Sequence, residues 1–176
     1  MAVEPFAPPE SVPFRALYEQ HFAFTWRALR YLGVPDRLLD DAAQEVWVVV
    51  HRRYAEFEGR SAVKTWLFAI AVNVERNIRR VEGRRRCLVP LPAELSTSRG
   101  DPMLASEEKE AWSLVHGFIA TLDETRRAVF AASLVEGLSA AETAAITELP
   151  LETVYNRVRA LKRSFASWLE QQRGEP

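Results

Sequence analysis

The chain has one cysteine, Cys87, in 176 residues, so no disulfide can close within it, and that count suits a reducing compartment. Histidine is almost as scarce. His21, His51 and His116 are scattered, with no cysteine or second histidine at ligand spacing, so no metal site is expected. The 7 glycines form no phosphate-cradling loop and no nucleophile has a base at a recognisable spacing. An enzyme and a resident cofactor are therefore not expected. Long apolar runs are missing too: no stretch approaches the roughly 18 to 20 uninterrupted apolar residues of a spanning helix. The opening segment MAVEPFAPPESVPF is acidic and proline-rich, lacking the basic start and apolar middle of a signal peptide. These features describe a cytoplasmic protein without membrane insertion.

Charge of one sign is also lacking overall, with a net charge of -1 and a pI near 6.3. Such a balance is unusual for a protein that grips DNA unaided, because phosphate neutralisation supplies most non-specific affinity. The average conceals a pattern. Arg60–Arg86 carries eight Lys or Arg against Glu75 and Glu82, and Thr153–Arg173 carries five against Glu170. The intervening Cys87–Asp123 holds six acids against Arg99 and Lys109. Two basic modules separated by an acidic connector suit a chain that touches nucleic acid twice.

What is abundant is helical periodicity. Phe14, Leu17, Tyr18, Phe22, Thr25, Trp26 and Leu29 recur at helix spacing, and Gly33–Pro35 ends that helix. A second helix is expected over about 36–57, with Leu39, Ala42, Ala43, Val46, Val50, Tyr54 and Phe57 inward. Its VWVVV run is β-branched, but the 3.6-residue pattern on both sides and the acidic start decide for helix. A third helix carries Trp66, Leu67, Ile70, Ala71, Val74, Ile78 and Val81 on one stripe and is expected to end near Gly83 and Arg84–Arg86. LVPLPAELSTSRGD, at 88–101, lacks periodicity and reads as linker. A helix re-forms from about Met103 to Leu122, and another runs from Asp123 to a stop at Gly137. Ser139 to Glu142 spells a capping box, opening a short helix over 140–147, followed by Glu148-Leu149-Pro150 and a long helix over about 151–170. A capped short helix, a tight turn and a helix with a basic face make a helix-turn-helix.

The fold class expected is therefore all-α, with two helical domains joined by a flexible linker. The boundaries read from the pattern are a disordered tail over 1–13, a first domain over 14–86, a linker over 87–109 and a second domain over 110–172.

On the third helix Asn73, Arg76, Asn77, Arg80 and Arg84 share the face opposite the apolar stripe. Arginine can hold phosphates or guanine edges, and asparagine can pair bidentately with adenine. Such a stripe is either an ordinary solvated face or a nucleic-acid surface. At the start of the second helix, Asp41, Gln44 and Glu45 form an acidic and amide face beside Trp47, suited either to solvent or to a partner's basic helix. On the last helix Val154, Val158, Leu161 and Phe165 face inward. Thr153, Asn156 and Arg157 near its start are expected to reach base edges, while Arg159, Lys162 and Arg163 position the duplex on phosphates.

The run DDAAQEVWVVVHRRYAEFEGRSAVKTWLFAIAVNVERNIRR resembles region 2 of extracytoplasmic-function (ECF) sigma factors of bacterial RNA polymerase. That region has a DxxQEV signature, then TWL, then an Asn-bearing helix ending in paired arginines. Independently, FAASLVEGLSAAETAAITELPLETVYNRVRALKRSF is similar to their region 4. The two stand in the right order across most of the chain. The resemblance implies that Asp41, Gln44 and Glu45 dock on core RNA polymerase. It implies that the Tyr54 to Lys64 segment, with Arg60, Ser61 and Lys64, and Asn73 capture the -10 element, with Arg76, Asn77 and Arg80 on the same face as Asn73. It also implies that the last helix reads the -35 element and that an anti-sigma factor holds the protein inactive. The sequence departs from the usual region 4 pattern at Glu148, Glu152 and Tyr155. A non-glycine at Glu148 means either a turn without positive φ or a strained one. A free-standing helix-turn-helix regulator is the rival reading, and it predicts tight duplex binding without polymerase. A helical adaptor that sequesters a sigma factor would leave the basic stripes unexplained.

Overall fold

The computed structural model describes residues 13–57, 59, 61–88 and 106–174. The tail expectation for 1–12, the linker expectation for 89–105 and the site assignment of Arg60 lie outside them. Among the described residues the regular structure is helical, without strands: α1 Phe14–Tyr31, α2 Leu39–Arg53, α3 Val63–Leu88, α4 Ser106–Ala120, α5 Glu124–Phe130, α6 Ala140–Thr147 and α7 Leu151–Gly174. Short 3-10 turns at Asp36–Leu38 and Tyr54–Glu56 flank α2, and a π-helical turn, Ala131–Val135, continues α5. The chain divides into two compact units between Ser96 and Thr97, apart from the short Tyr31–Gly33 segment, which groups with the second.

In the first unit α2 packs along α3 over a core that includes Leu17, Leu29, Val46, Val50, Leu67 and Phe68. The VWVVV run is helical because only part of it must be buried: Val46, Trp47 and Val50 face in while Val48 faces out. Burying each such side chain contributes about 1.5–3 kcal/mol. That outweighs a helix-propensity penalty of at most roughly 0.7 kcal/mol per β-branched residue. The indole Nε1 of Trp47 donates to Thr25 Oγ1 at 3.0 Å, and that hydroxyl donates to the Phe22 carbonyl at 2.8 Å, so the polar atoms of this core are bonded to each other. Arg37 reaches Glu82 at 2.6 Å and ties the turn before α2 to the far part of α3.

Two expectations change here. The buried face of α1 is Leu17, His21, Phe24, Thr25, Ala28 and Leu29, and Tyr18 and Phe22 are left exposed. The expected stripe thus followed the aromatics, whereas packing selects the ridge that carries the smaller Ala28 and Thr25. Trp66, expected in the core, is half-buried and stacks on Phe57 with ring centroids 4.6 Å apart. Helix α3 runs through Gly83 and Arg84–Arg86 to Leu88, and α4, expected from about Met103, is described from Ser106. Glycine inside a helix costs only about 1 kcal/mol relative to alanine, and the three arginines after it are good helix formers.

The second unit closes on an aromatic centre. Phe118 lies 5.2 Å from Phe130 and 5.0 Å from Phe165, and Ile119, Leu122, Val129 and Leu161 complete the core. Asp123 caps α5 by accepting from the Arg126 amide at 2.8 Å. Gly137 then turns the chain at φ 69°, a conformation that costs glycine nothing.

Candidate nucleic-acid and polymerase interface

The helix-turn-helix of the second unit is built by local chemistry. Ser139 Oγ accepts from the Glu142 amide at 3.2 Å and Glu142 Oε2 accepts from the Ser139 amide at 2.9 Å, a complete capping box that starts α6. Ser133 and Thr143 share a hydroxyl hydrogen bond of 2.9 Å that ties the π-helical turn to α6. Glu148 ends α6 in the left-handed conformation, φ 60° and ψ 29°, which decides the question left open by the sequence: the turn requires positive φ and a non-glycine supplies it. The amide of Leu149 bonds back to Ala144 at 3.2 Å, and that of Val154 to Pro150 at 3.1 Å, so α7 starts directly after the turn.

Helix α7 buries Val154 and Leu161 and presents Glu152, Tyr155, Asn156, Arg159, Lys162 and Arg163 to solvent. Arg157 is half-buried, and its NH1 atom is shielded from water without a hydrogen-bond partner. It stands three residues after Val154 and four before Leu161, on the ridge that packs inward.

In the first unit Asp41, Gln44 and Glu45 are all exposed on one side of α2. Asp40 beside them is held locally, accepting from Trp26 Nε1 at 3.2 Å. Gln44 lines a shallow apolar groove of about 270 Å³ with Phe14, Tyr18, Trp47, Val48 and His51. On α3, Asn73 and Arg80 are exposed and Arg76 and Asn77 half-buried. Arg80 donates to Asn77 Oδ1 at 2.9 Å, and Asn77 Nδ2 lies 3.5 Å from Glu45 Oε1. Ser61 is half-buried at the end of the preceding loop, and exposed Lys64 holds its ammonium 5.7 Å from the centroid of Phe24. Behind it His21 is buried, and desolvation, assisted by Lys64, holds its pKa below the usual 6.5.

Two family descriptions match the chain: sigma-70 region 2 over residues 17–85 and sigma-70 region 4 over residues 113–164. The ECF RNA polymerase sigma-E factor of Escherichia coli strain K12 is 32% identical over 136 residues, covering 71% of this chain and 70% of that protein. The RNA polymerase sigma-H factor of Pseudomonas aeruginosa is 32% identical over 155 residues, covering 77% of this chain and 80% of its own.

The chain belongs to the ECF family of sigma factors.

Sigma factors are transcription initiation factors that bind core RNA polymerase and promoter DNA. Two solved structures share the fold. The sigma factor RpoE of Bartonella quintana, solved with the anti-sigma factor NepR, has a TM-score of 0.75 at 18% identity, covering 89% of this chain and 96% of that one. CnrH, solved with the cytosolic domain of CnrY, has a TM-score of 0.64 at 21% identity, covering 90% and 88%. Among the described residues no helix is long and apolar enough to cross a membrane.

Against that family frame, the region 2 candidates form two adjoining faces, since Glu45 on α2 meets Asn77 on α3. Sequence reasoning treated them as separate. The region 4 candidates are brought together on the outer side of α7, except half-buried Thr153 and Arg157. Reasoning from the sequence noted Tyr155 only as a departure from the region 4 pattern and passed over Leu151; α7 leaves both of these large apolar side chains exposed. The signal was available for Tyr155, which lies off the Val154–Leu161 ridge, but not for Leu151, three residues before Val154 and seven before Val158.

Proposed function

We propose that this ECF sigma factor attaches to core polymerase through Asp41, Gln44 and Glu45 and engages the -10 element through Arg60, Ser61, Lys64, Asn73, Arg76, Asn77 and Arg80. The -35 element is read along α7 by Thr153, Asn156 and Arg157, with Arg159, Lys162 and Arg163 on phosphates. In domain terms, 14–86 acts as region 2, 110–172 as region 4 and 87–109 as the connector, with 1–13 as a tail. The protein acts in the cytoplasm and catalyses no reaction itself.

The observation that carries this reading is the pair of exposed polar faces, one on α2 and α3 and one on α7, in a chain whose net charge is only -1. A protein so nearly neutral gains little from duplex phosphates alone and needs polymerase to hold it on DNA. The solved relatives pair with CnrY and with an anti-sigma factor. By extension, an anti-sigma factor regulates this chain by covering its polymerase-facing or DNA-facing surfaces.

The test is run-off transcription on fragmented genomic DNA with core polymerase from the same organism, with and without the protein. New discrete starts that share two upstream elements support the reading. No new starts, with tight duplex binding by the protein alone, would replace it with the free-standing regulator.

A further inference from the structure

Helix α7 leaves Leu151 45% exposed and Tyr155 59% exposed, one turn apart at its start. The second unit has an apolar interior, closed around Phe118, Ile119, Val129, Phe130 and Leu161, and Leu151 and Tyr155 stand outside it. They lie on the same outer side as Glu152 and Asn156, and the exposed cations Arg159, Lys162 and Arg163 follow along the helix. The first two turns of a recognition helix meet base edges, and the later turns meet phosphates. The surface is therefore apolar with a carboxylate where bases are read, and basic where the backbone runs.

In the major groove the apolar feature a base offers is the C5-methyl of thymine, and a carboxylate can accept from the exocyclic amine of cytosine. Arg157, the guanidinium nearest these positions in sequence, is half-buried with its NH1 atom shielded from water, so the exposed surface here is set by Leu151, Glu152 and Tyr155. We infer that Leu151 and Tyr155 are specificity-determining residues that pack on thymine methyl groups in the -35 duplex, with Glu152 accepting from a neighbouring cytosine amine. This rests on the reading of α7 as the -35 recognition helix. The positive turns that follow make DNA, rather than a protein surface, the occupant.

The test uses the holoenzyme and a promoter identified by run-off transcription. Each thymine of the -35 element, on either strand, is replaced singly by uracil, which keeps O4 and loses only the methyl. Wild-type holoenzyme loses about fourfold in closed-complex affinity at one or more positions, the worth of one buried methyl-sized group. Tyr155→Ala and Leu151→Ala bind more weakly, and at least one of them no longer distinguishes thymine from uracil there. Tyr155→Lys, which keeps a long side chain at this exposed position, loses the same discrimination and guards against a folding artefact.

Indifference of the wild type to uracil at every position overturns the inference, as does unchanged discrimination in both alanine variants. A loss of core-polymerase affinity with discrimination intact also overturns it and assigns the patch to a protein partner. Failure of the underlying reading looks different: scrambling the whole -35 element would then leave wild-type binding unchanged. Where the reading holds, Lys162→Ala weakens binding to all templates alike.

Discussion

Asn77 on α3 lies 3.5 Å from the carboxylate of Glu45 on α2, and Arg80 donates to the same Asn77 at 2.9 Å. A residue proposed to face polymerase and two proposed to face DNA therefore belong to one string of hydrogen bonds. Removing Glu45 releases the Asn77 amide as well as any polymerase contact.

The first prediction follows from that string. In a double-mutant cycle, Glu45→Ala and Asn77→Ala are non-additive in open-complex formation by about 0.5 kcal/mol, a little over twofold, because the contact is long and exposed. Asn73→Ala, on the same face without that link, lowers open-complex formation and leaves core binding intact. Gln44→Ala with Glu45→Ala weakens core binding. Additive effects at Glu45 and Asn77 would show that the two faces act separately.

Thr25 offers a stability test. Its hydroxyl is the acceptor for the buried Trp47 indole, and it donates in turn to Phe22. Thr25→Val keeps the shape and removes both bonds, leaving a buried N–H unpaired at a cost of about 1–3 kcal/mol. Urea denaturation reads this as a lower midpoint at an unchanged slope. A wild-type midpoint would mean the indole finds another acceptor.

Glu148 carries a backbone cost that can be isolated by comparing two substitutions. Both Glu148→Ala and Glu148→Gly remove the side chain, but only glycine relieves φ 60°. The left-handed conformation costs an L-residue about 1–2 kcal/mol, and glycine returns about half of that through its freer unfolded chain. The glycine variant is thus expected to be about 1 kcal/mol more stable than the alanine variant by thermal or chemical unfolding. Equal stabilities would mean the turn relaxes to accommodate alanine.

His21 predicts a pH dependence. It is 7% exposed, and its pKa is depressed below 6.5 first by burial and then by Lys64. Above pH 6.5 His21 is neutral folded or unfolded and adds no slope. Below it the unfolded chain binds a proton that the folded chain refuses, so stability falls as pH drops from 6.5 toward the folded pKa. The slope from this one site is at most about 1.4 kcal/mol per pH unit. His21→Gln flattens the stability profile between pH 6.5 and 5.5. An unchanged profile would show that the burial does not govern the titration.

Much of this was legible in the sequence because periodicity and capping are local. The capping box at Ser139, the end of α6 at Thr147 and the inward ridge of α2 are where the pattern put them. What escaped depended on tertiary competition. Tyr18 and Phe22 share helical spacing with Leu17 and Thr25, and only the shape of the facing helices decides which ridge is buried. Arg157 was placed with Thr153 and Asn156 by its position near the start of the helix, although its three- and four-residue offsets from Val154 and Leu161 set it beside the inner ridge. The hydrogen bond from Asn77 to Glu45 joins residues 32 positions apart, and no periodicity within either helix can announce it.

Gly83 lies inside α3, and a side chain added there would meet nothing within 4 Å. No close approach requires a glycine, so the helix carries a deficit of about 1 kcal/mol at a point where tertiary packing returns nothing. Gly83→Ala is therefore expected to stabilise the protein by about 1 kcal/mol in urea unfolding, since the added methyl meets no neighbour and only the helix propensity changes.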